Sequence, residues 1–211
     1  MPPSLKQKDG FEAKDCGWLT QMTPFIEHYS LPDEYVLDPF AGFATTLLAA
    51  GLAGRRSVGY EIEVERIALA TQRLAHWGID GAHLHHGSID EMRHKDPVDL
   101  CLTNVPYFGS AWHGAHYTEG QLYATQDYAQ YLNKIQAIFK RVSQRLQGGR
   151  YCIVMAENIY HQGRFIPLAW NIAHVLSKIF ILQGERILLY EKNASMPPLL
   201  QHDSNRAHEY A

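Results

Sequence analysis

Two rhythms of apolar and polar positions alternate along this chain. Short apolar runs at residues 35–37, 57–61, 82–86, 98–103 and 150–156 each close on an acid, an amide or a glycine, and read as strands. Between them, apolar residues recur at steps of three and four: Trp18, Met22, Phe25, Ile26 and Tyr29; Ile67, Ala70, Leu74 and Trp77; Tyr131, Ile135, Ile138, Phe139 and Val142. That spacing predicts helices over residues 18–29, 63–77 and 128–146. A helix opening at Thr45 is stopped by Gly51 and Gly54, and another spans 166–177 with Pro167 in its first turn. Residues 157–165 read as a polar connection, and 179–182 and 186–191 as late strands. The stretch 110–126 is rich in Gly, His, Tyr and Trp without a period, and reads as a loop facing substrate or serving as a lid. The alternation predicts an α/β fold: an open, mostly parallel sheet with helices on both faces. Residues 1–17 form an irregular N-terminal arm and 193–211 a polar C-terminal tail, which leaves 18–192 as the folded domain.

Composition narrows the function. At 211 residues the chain is one domain with a sizeable core, and its formal net charge of −3 gives no overall basic signature. Any nucleic-acid surface is therefore a local patch, or belongs to another domain or partner. The three cysteines, Cys16, Cys101 and Cys152, are scattered, and the last two sit in apolar runs as buried thiols. Among twelve histidines, His83, His85 and His86 cluster, but no cysteine or carboxylate completes a zinc spacing, so no metal is expected. There is no signal peptide and no run of membrane length, so the expected compartment is the cytoplasm, with no membrane partner.

The stretch from Val36 to Thr46 carries the first candidate chemistry. An apolar run ends in Asp38; a turn of Pro39, Phe40, Ala41 and Gly42 follows; then Thr45 opens a helix. A strand, a turn of small residues and a helix bring backbone N–H groups against a polar ligand, usually a nucleotide-like cofactor, although such turns are also common as plain structure. Glu61, at the end of the second strand, can accept both hydroxyls of a ribose, or it can be a solvated helix-start residue beside Glu63 and Glu65. Ile62 can lie against an adenine ring. After the third strand, Ser88 or Asp90 is available to the exocyclic amine of that adenine, or Asp90 simply caps the next turn. The fourth strand ends in Asn104, Val105, Pro106, Tyr107 and Phe108. The Asn104 oxygen and a neighbouring carbonyl can accept from an NH₂ while a Tyr face stacks on its ring; a strand exit with packed aromatics is an equal reading.

The order of these pieces resembles a known family. Asp38-Pro39-Phe40-Ala41-Gly42-Phe43-Ala44-Thr45-Thr46 resembles the cofactor motif Asp-Pro-Phe-x-Gly-x-Gly-Thr-Thr of S-adenosylmethionine-dependent methyltransferases that act on exocyclic amines of nucleic acid bases. Gly59-Tyr60-Glu61-Ile62, followed by Ala70, Arg73 and Leu74, resembles their second motif. Asn104-Val105-Pro106-Tyr107 resembles their catalytic Asn/Asp/Ser-Pro-Pro-Tyr/Phe. The resemblance implies a Rossmann-like class I methyltransferase sheet over 18–192, with S-adenosylmethionine as cofactor. It implies cofactor contacts from Asp38, Pro39, Phe40, Ala41, Gly42, Thr45, Glu61, Ile62, Ser88 and Asp90. The catalytic set the resemblance implies is Asn104, Val105, Pro106 and Tyr107, with Phe108 expected to assist Tyr107. Three residues depart from the pattern. Ala44 stands for the third glycine and is expected to add a methyl where backbone and cofactor approach; Val105 stands for the first proline; Ser88 stands where an acid is frequent. The family's strand near 186–192 pairs with a later one often opened by His-Glu-Tyr. Here His208-Glu209-Tyr210 is followed only by Ala211, so the last strand is expected to be missing or reduced to a stub.

The implied function is methyl transfer to the exocyclic amine of a DNA base, adenine N6 or cytosine N4. Two rivals stand beside it: an RNA base amino-methyltransferase, and a non-catalytic subunit that keeps the fold, a reading suggested by Ala44 and Val105. Nucleic acid is the expected partner, DNA ahead of RNA. With no room for a large recognition domain, sequence choice falls to residues 108–126, to residues 1–17, or to another polypeptide.

Overall fold

The computed structural model describes residues 19–89, 97–109 and 120–188. The expected arm at 1–17, Asp90, residues 110–119 of the expected loop, and the expected tail at 193–211 lie outside the described residues.

The elements follow the two rhythms. Helix α1 (Leu19–Tyr29) leads into β1 (Tyr35–Asp38), α2 (Thr45–Leu52), β2 (Arg56–Glu61), α3 (Val64–His76), β3 (Ala82–His86) and β4 (Val98–Asn104). Then come α4 (Tyr128–Ser143), β5 (Leu146–Met155), β6 (Ile159–His161), β7 (Arg164–Ile166) and α5 (Leu168–Leu176). Five strands form one parallel sheet in the order β3-β2-β1-β4-β5. Alternate strand residues point to opposite faces, and each face has its own core. Val36, Leu100 and Leu102 pack with Met22, Ile26, Leu47, Leu48, Ala70 and Leu74 of α1, α2 and α3. Leu37, Val58 and Cys101 pack on the other side with Ile135, Phe139 and Ile172 of α4 and α5. The sheet is therefore covered on both faces, as the alternation predicts.

Strand order decides where a ligand can sit. The chain runs outward from β1 through β2 to β3, then returns to lay β4 on the other flank of β1, with Val36 opposite Leu100 and Leu37 opposite Cys101. The connections after β1 and β4 leave in opposite directions, which opens a crevice between their C-terminal ends.

Three expectations are corrected. Helix α4 stops at Ser143, and β5 begins at Leu146, not at 150: Leu146 pairs with Val98 before a register shift carries the ladder on to Leu100 and Tyr151. Gln147, inside that irregular stretch, donates to Asp99 Oδ1 at 2.6 Å. The connection over 157–165 holds a hairpin, β6 against β7, with Tyr160 opposite Phe165. Its two turn residues, Gln162 (φ 50°) and Gly163 (φ 75°), both take the left-handed region that a tight two-residue hairpin needs. The expected strand at 179–182 is absent from the sheet: the Ile179 and Phe180 N–H groups both return to Leu176 O, and Ile181 is 85% exposed. Residues 186–188 also form no strand, and 189–191 lie outside the described residues.

Gly59 sets how closely the first turn approaches the sheet. A Cβ at this position of β2 would lie 2.8 Å from both Ala41 Cβ and Leu47 Cδ1. Gly59→Ala is expected to destabilise the fold by about 1–3 kcal/mol, the usual cost of overpacking, as measured by urea denaturation; an unchanged midpoint would contradict this packing.

Candidate active site

The turn after β1 is held from several sides. Asp38 is buried, and its Oδ1 accepts from the Phe40 N–H at 3.0 Å and from the Thr103 hydroxyl at 2.6 Å. The Ala41 N–H donates to Tyr60 O at 2.8 Å, and the Gly42 N–H to Glu61 Oε2 at 2.9 Å. From α3, the buried Arg73 donates through Nη1 to Phe43 O at 3.0 Å and to Thr45 Oγ1 at 2.8 Å. Glu61 uses its second oxygen to accept the Glu63 N–H at 2.8 Å. The Asp38–Thr103 bond matters most for the site, because Thr103 immediately precedes Asn104 at the tip of β4.

That second tip is equally constrained. Asn104 is exposed at the end of β4, while Val105 is buried and donates its N–H to Met155 O at 3.3 Å. A proline at this position has no hydrogen to make that bond, so the departure from the family pattern replaces ring rigidity with a backbone link to β5. The Pro106 carbonyl accepts from Tyr131 Oη at 3.0 Å. Tyr107 is half-buried. Phe108, expected to assist it, is instead a core residue, packed by its ring against Tyr128, Tyr131 and His161.

Both tips open on one cleft of about 1820 Å³, which continues along β5 to α5 and residues 179–188. Asp38, Pro39, Phe40, Ala41, Gly42, Thr45, Glu61, Ile62 and Ser88 line it, and so do Asn104, Val105, Pro106 and Tyr107. Ala44 corrects its expectation. It adopts φ 59° with its side chain fully buried among the residues of α1, α2 and α3, and is not part of the cleft wall. Its methyl therefore points into the core, away from the place a cofactor would take.

Burial pushes both cleft carboxyls up. Asp38 lies above its usual 3.8 because desolvation outweighs the hydrogen bonds from Thr103, Thr46 and the Phe40 N–H. Glu61 lies above 4.5, raised first by burial and further by the Glu63 charge, against the lowering effects of the Glu63 and Gly42 N–H groups and Arg66. Two desolvated acids in one crevice favour a cationic ligand.

Residues 19–72 match the family model for DNA methylase, N6/N4 class. The chain is related to the N6/N4 DNA methylases through this segment. The match covers the first turn and Glu61, and stops before Asn104. A type II methyltransferase of Methanothermobacter thermautotrophicus is 53% identical over 38 residues, 18% of this chain and 11% of that protein. A tRNA (guanine(10)-N2)-dimethyltransferase of Methanothermobacter thermautotrophicus strain Delta H is 34% identical over 76 residues, 36% of this chain and 23% of that one. The chain thus spans a quarter or less of the length of these curated relatives. A crystal structure of a SAM-dependent O-methyltransferase of Thermotoga maritima superposes with a TM-score of 0.55 at 14% identity, over 84% of this chain and 56% of that one. The architecture is the Rossmann-like α/β fold of the class I methyltransferases.

Several site residues were not singled out from sequence. Thr103 reads only as the last apolar-run residue before Asn104. Arg73 reads as part of a helix motif. Glu63 reads as a helix-start acid, yet it is buried and accepts from Arg66, Gln121 and Tyr123. Among the described residues no group of three or more His, Cys, Asp or Glu is placed to hold a metal ion, and no helix is long and apolar enough to cross a membrane.

The raised carboxyls have a consequence for stability. The folded chain holds a proton on Glu61 more tightly than the unfolded chain does, so this contribution is full below the unfolded value near 4.5 and is lost as pH rises through the higher folded value. Glu61→Gln removes that loss. The difference in urea stability between the variant and wild type is expected to move in the variant's favour as pH rises from about 4.5 toward neutrality; a pH-independent difference would contradict the raised value.

Proposed function

We propose that this chain transfers a methyl group from S-adenosylmethionine to the exocyclic amine of a DNA base, adenine N6 or cytosine N4. The observation that carries this reading is the Asp38–Thr103 hydrogen bond, which brings the acid-lined turn and Asn104 onto one cleft. The residues present fit the cofactor: buried Asp38 and Glu61 complement its positive charge, and Ile62 and Ser88 line the cleft beyond Glu61. When bound, S-adenosylmethionine supplies an electrophilic methyl on a cationic sulfur.

The chain's own work is then positioning and electrostatics. A base amine is a poor nucleophile because its lone pair is delocalised into the ring. The Asn104 side-chain oxygen and the Val105 carbonyl accept its two hydrogens, draw the nitrogen toward tetrahedral geometry and localise the pair on it. Tyr107 offers a ring face for stacking. Val105 and Pro106 hold Asn104 in place through Met155 O and Tyr131 Oη. In duplex DNA the target base must swing out of the stack to reach this depth.

The DNA methylase match over residues 19–72 supports DNA as substrate. An RNA base is the second reading, favoured by the relative named as a tRNA (guanine(10)-N2)-dimethyltransferase. A purely binding role gains little support, since the Ala44 methyl lies away from the cleft and Val105 keeps its backbone anchored.

The test is transfer of labelled methyl from S-adenosylmethionine to DNA and to RNA in parallel. Transfer to DNA amines supports the leading reading, transfer to RNA the second, and absence of both with cofactor bound the binding role. Asn104→Ala is expected to lower transfer by roughly 10²–10³-fold, as loss of one preorganised polar partner does, while calorimetry gives unchanged cofactor affinity. Equal loss of both would make Asn104 structural.

A further inference from the structure

Behind the cleft wall, Glu63 is a buried carboxylate whose partners Arg66, Gln121 and Tyr123 all line the cleft. It is buried at the start of α3, and its carboxylate gathers three side chains from two parts of the chain. Oε2 accepts from Arg66 Nε at 2.6 Å. Oε1 accepts from Gln121 Nε2 at 2.6 Å and from the Tyr123 hydroxyl. Its backbone N–H donates to Glu61 Oε1 at 2.8 Å. Gln121, Leu122 and Tyr123 are themselves buried, and with Gly120 they line the cleft on which Glu61, Ile62 and Ser88 open. Leu122 reaches the core on the α4 side of the sheet.

We propose that Glu63 is a positioning residue for the cofactor, anchoring residues 120–123 as a fixed wall of the nucleotide end of the cleft. The inference rests on the methyltransferase reading and deepens it. Glu63 touches neither reacting atom. Its side chain acts through Gln121 and Tyr123, whose places it sets, while its backbone N–H, kept in every substitution, orients the Glu61 carboxylate. Burial and the Glu63 carboxylate both raise the Tyr123 hydroxyl above its ordinary value, so it stays protonated and remains a donor to Glu63. Arg66 adds a second link: its guanidinium lies over the Phe43 ring at 5.1 Å, so the same carboxylate ties the wall to the first turn.

The experiment compares wild type, Glu63→Ala and Glu63→Gln by calorimetric binding of S-adenosylhomocysteine and by turnover at saturating cofactor. Glu63→Ala is expected to weaken binding roughly ten- to a hundred-fold, the range for hydrogen bonds to a charged group, with kcat within about threefold of wild type if only positioning is lost. Glu63→Gln is expected to recover part of the affinity, because its amide oxygen still accepts from Gln121 and Tyr123. Unchanged affinity in Glu63→Ala, or a fall in kcat as large as the fall in affinity, overturns the proposal. Should Glu63→Ala fail to fold, the double variant Gln121→Ala, Tyr123→Phe leaves the Glu63–Arg66 pair intact and is judged by the same split. A wild-type chain that binds no S-adenosylhomocysteine overturns the functional reading itself; a wild type that binds it, with variants that bind it equally, overturns this inference alone.

Discussion

One buried hydrogen bond joins the two halves of the site. Thr103 gives its hydroxyl proton to Asp38 across the junction of β1 and β4, the place where the strand order turns back. Parallel pairing of Val36 with Leu100 and Leu37 with Cys101 already sets the two strands level. The bond then fixes the tips, so the turn that opens α2 and the loop that begins at Asn104 face the same crevice. A carboxylate this deep is costly to ionise, and its raised pKa reflects that. The fold tolerates the cost because Phe40 and Thr103 give Asp38 hydrogen bonds in return.

Around that joint, each working residue is held by another part of the chain. Gly59 makes room for Ala41 and Leu47, Arg73 grips Phe43 and Thr45 from α3, and Tyr131 holds the Pro106 carbonyl from α4. Such cross-bracing is what a site needs when it works by orientation and not by covalent chemistry. Two residues that depart from the family pattern are held within the same bracing. Ala44 pays its left-handed strain into the core, and Val105 trades the proline ring for a hydrogen bond to Met155.

Much of this was legible in the residues taken in order. The short apolar runs of β1, β2 and β4, the steps of three and four in α3 and α4, and the Asp38–Thr46 turn are local signals, and each element appears where they place it. The likeness of the first turn and Glu61 to the DNA methylases is borne out by the match over 19–72, which does not reach Asn104. What stayed hidden is long-range. Nothing near Thr103 announces a partner 65 residues earlier, and nothing near Glu63 announces Gln121 and Tyr123. Those contacts are set by topology, which periodicity does not encode. The hairpin at Ile159–Ile166 did carry a local signal in Gln162-Gly163, flanked by alternating residues, but the polar character of the stretch masked it. At 179–182 the error runs the other way: an apolar run looks like a strand, yet its backbone returns to the end of α5 and the sheet gains nothing from it.

The central claim is that donor and acceptor meet in one crevice between the tips of β1 and β4. A crystal structure of the chain with S-adenosylhomocysteine and an adenine or cytosine nucleoside tests it most directly. The account predicts the nucleoside toward Glu61, the sulfur near Asp38, the amine at Asn104, and a gap between sulfur and amine that one methyl group fills. A cofactor seated outside this crevice, or an amine bound away from Asn104, would contradict it.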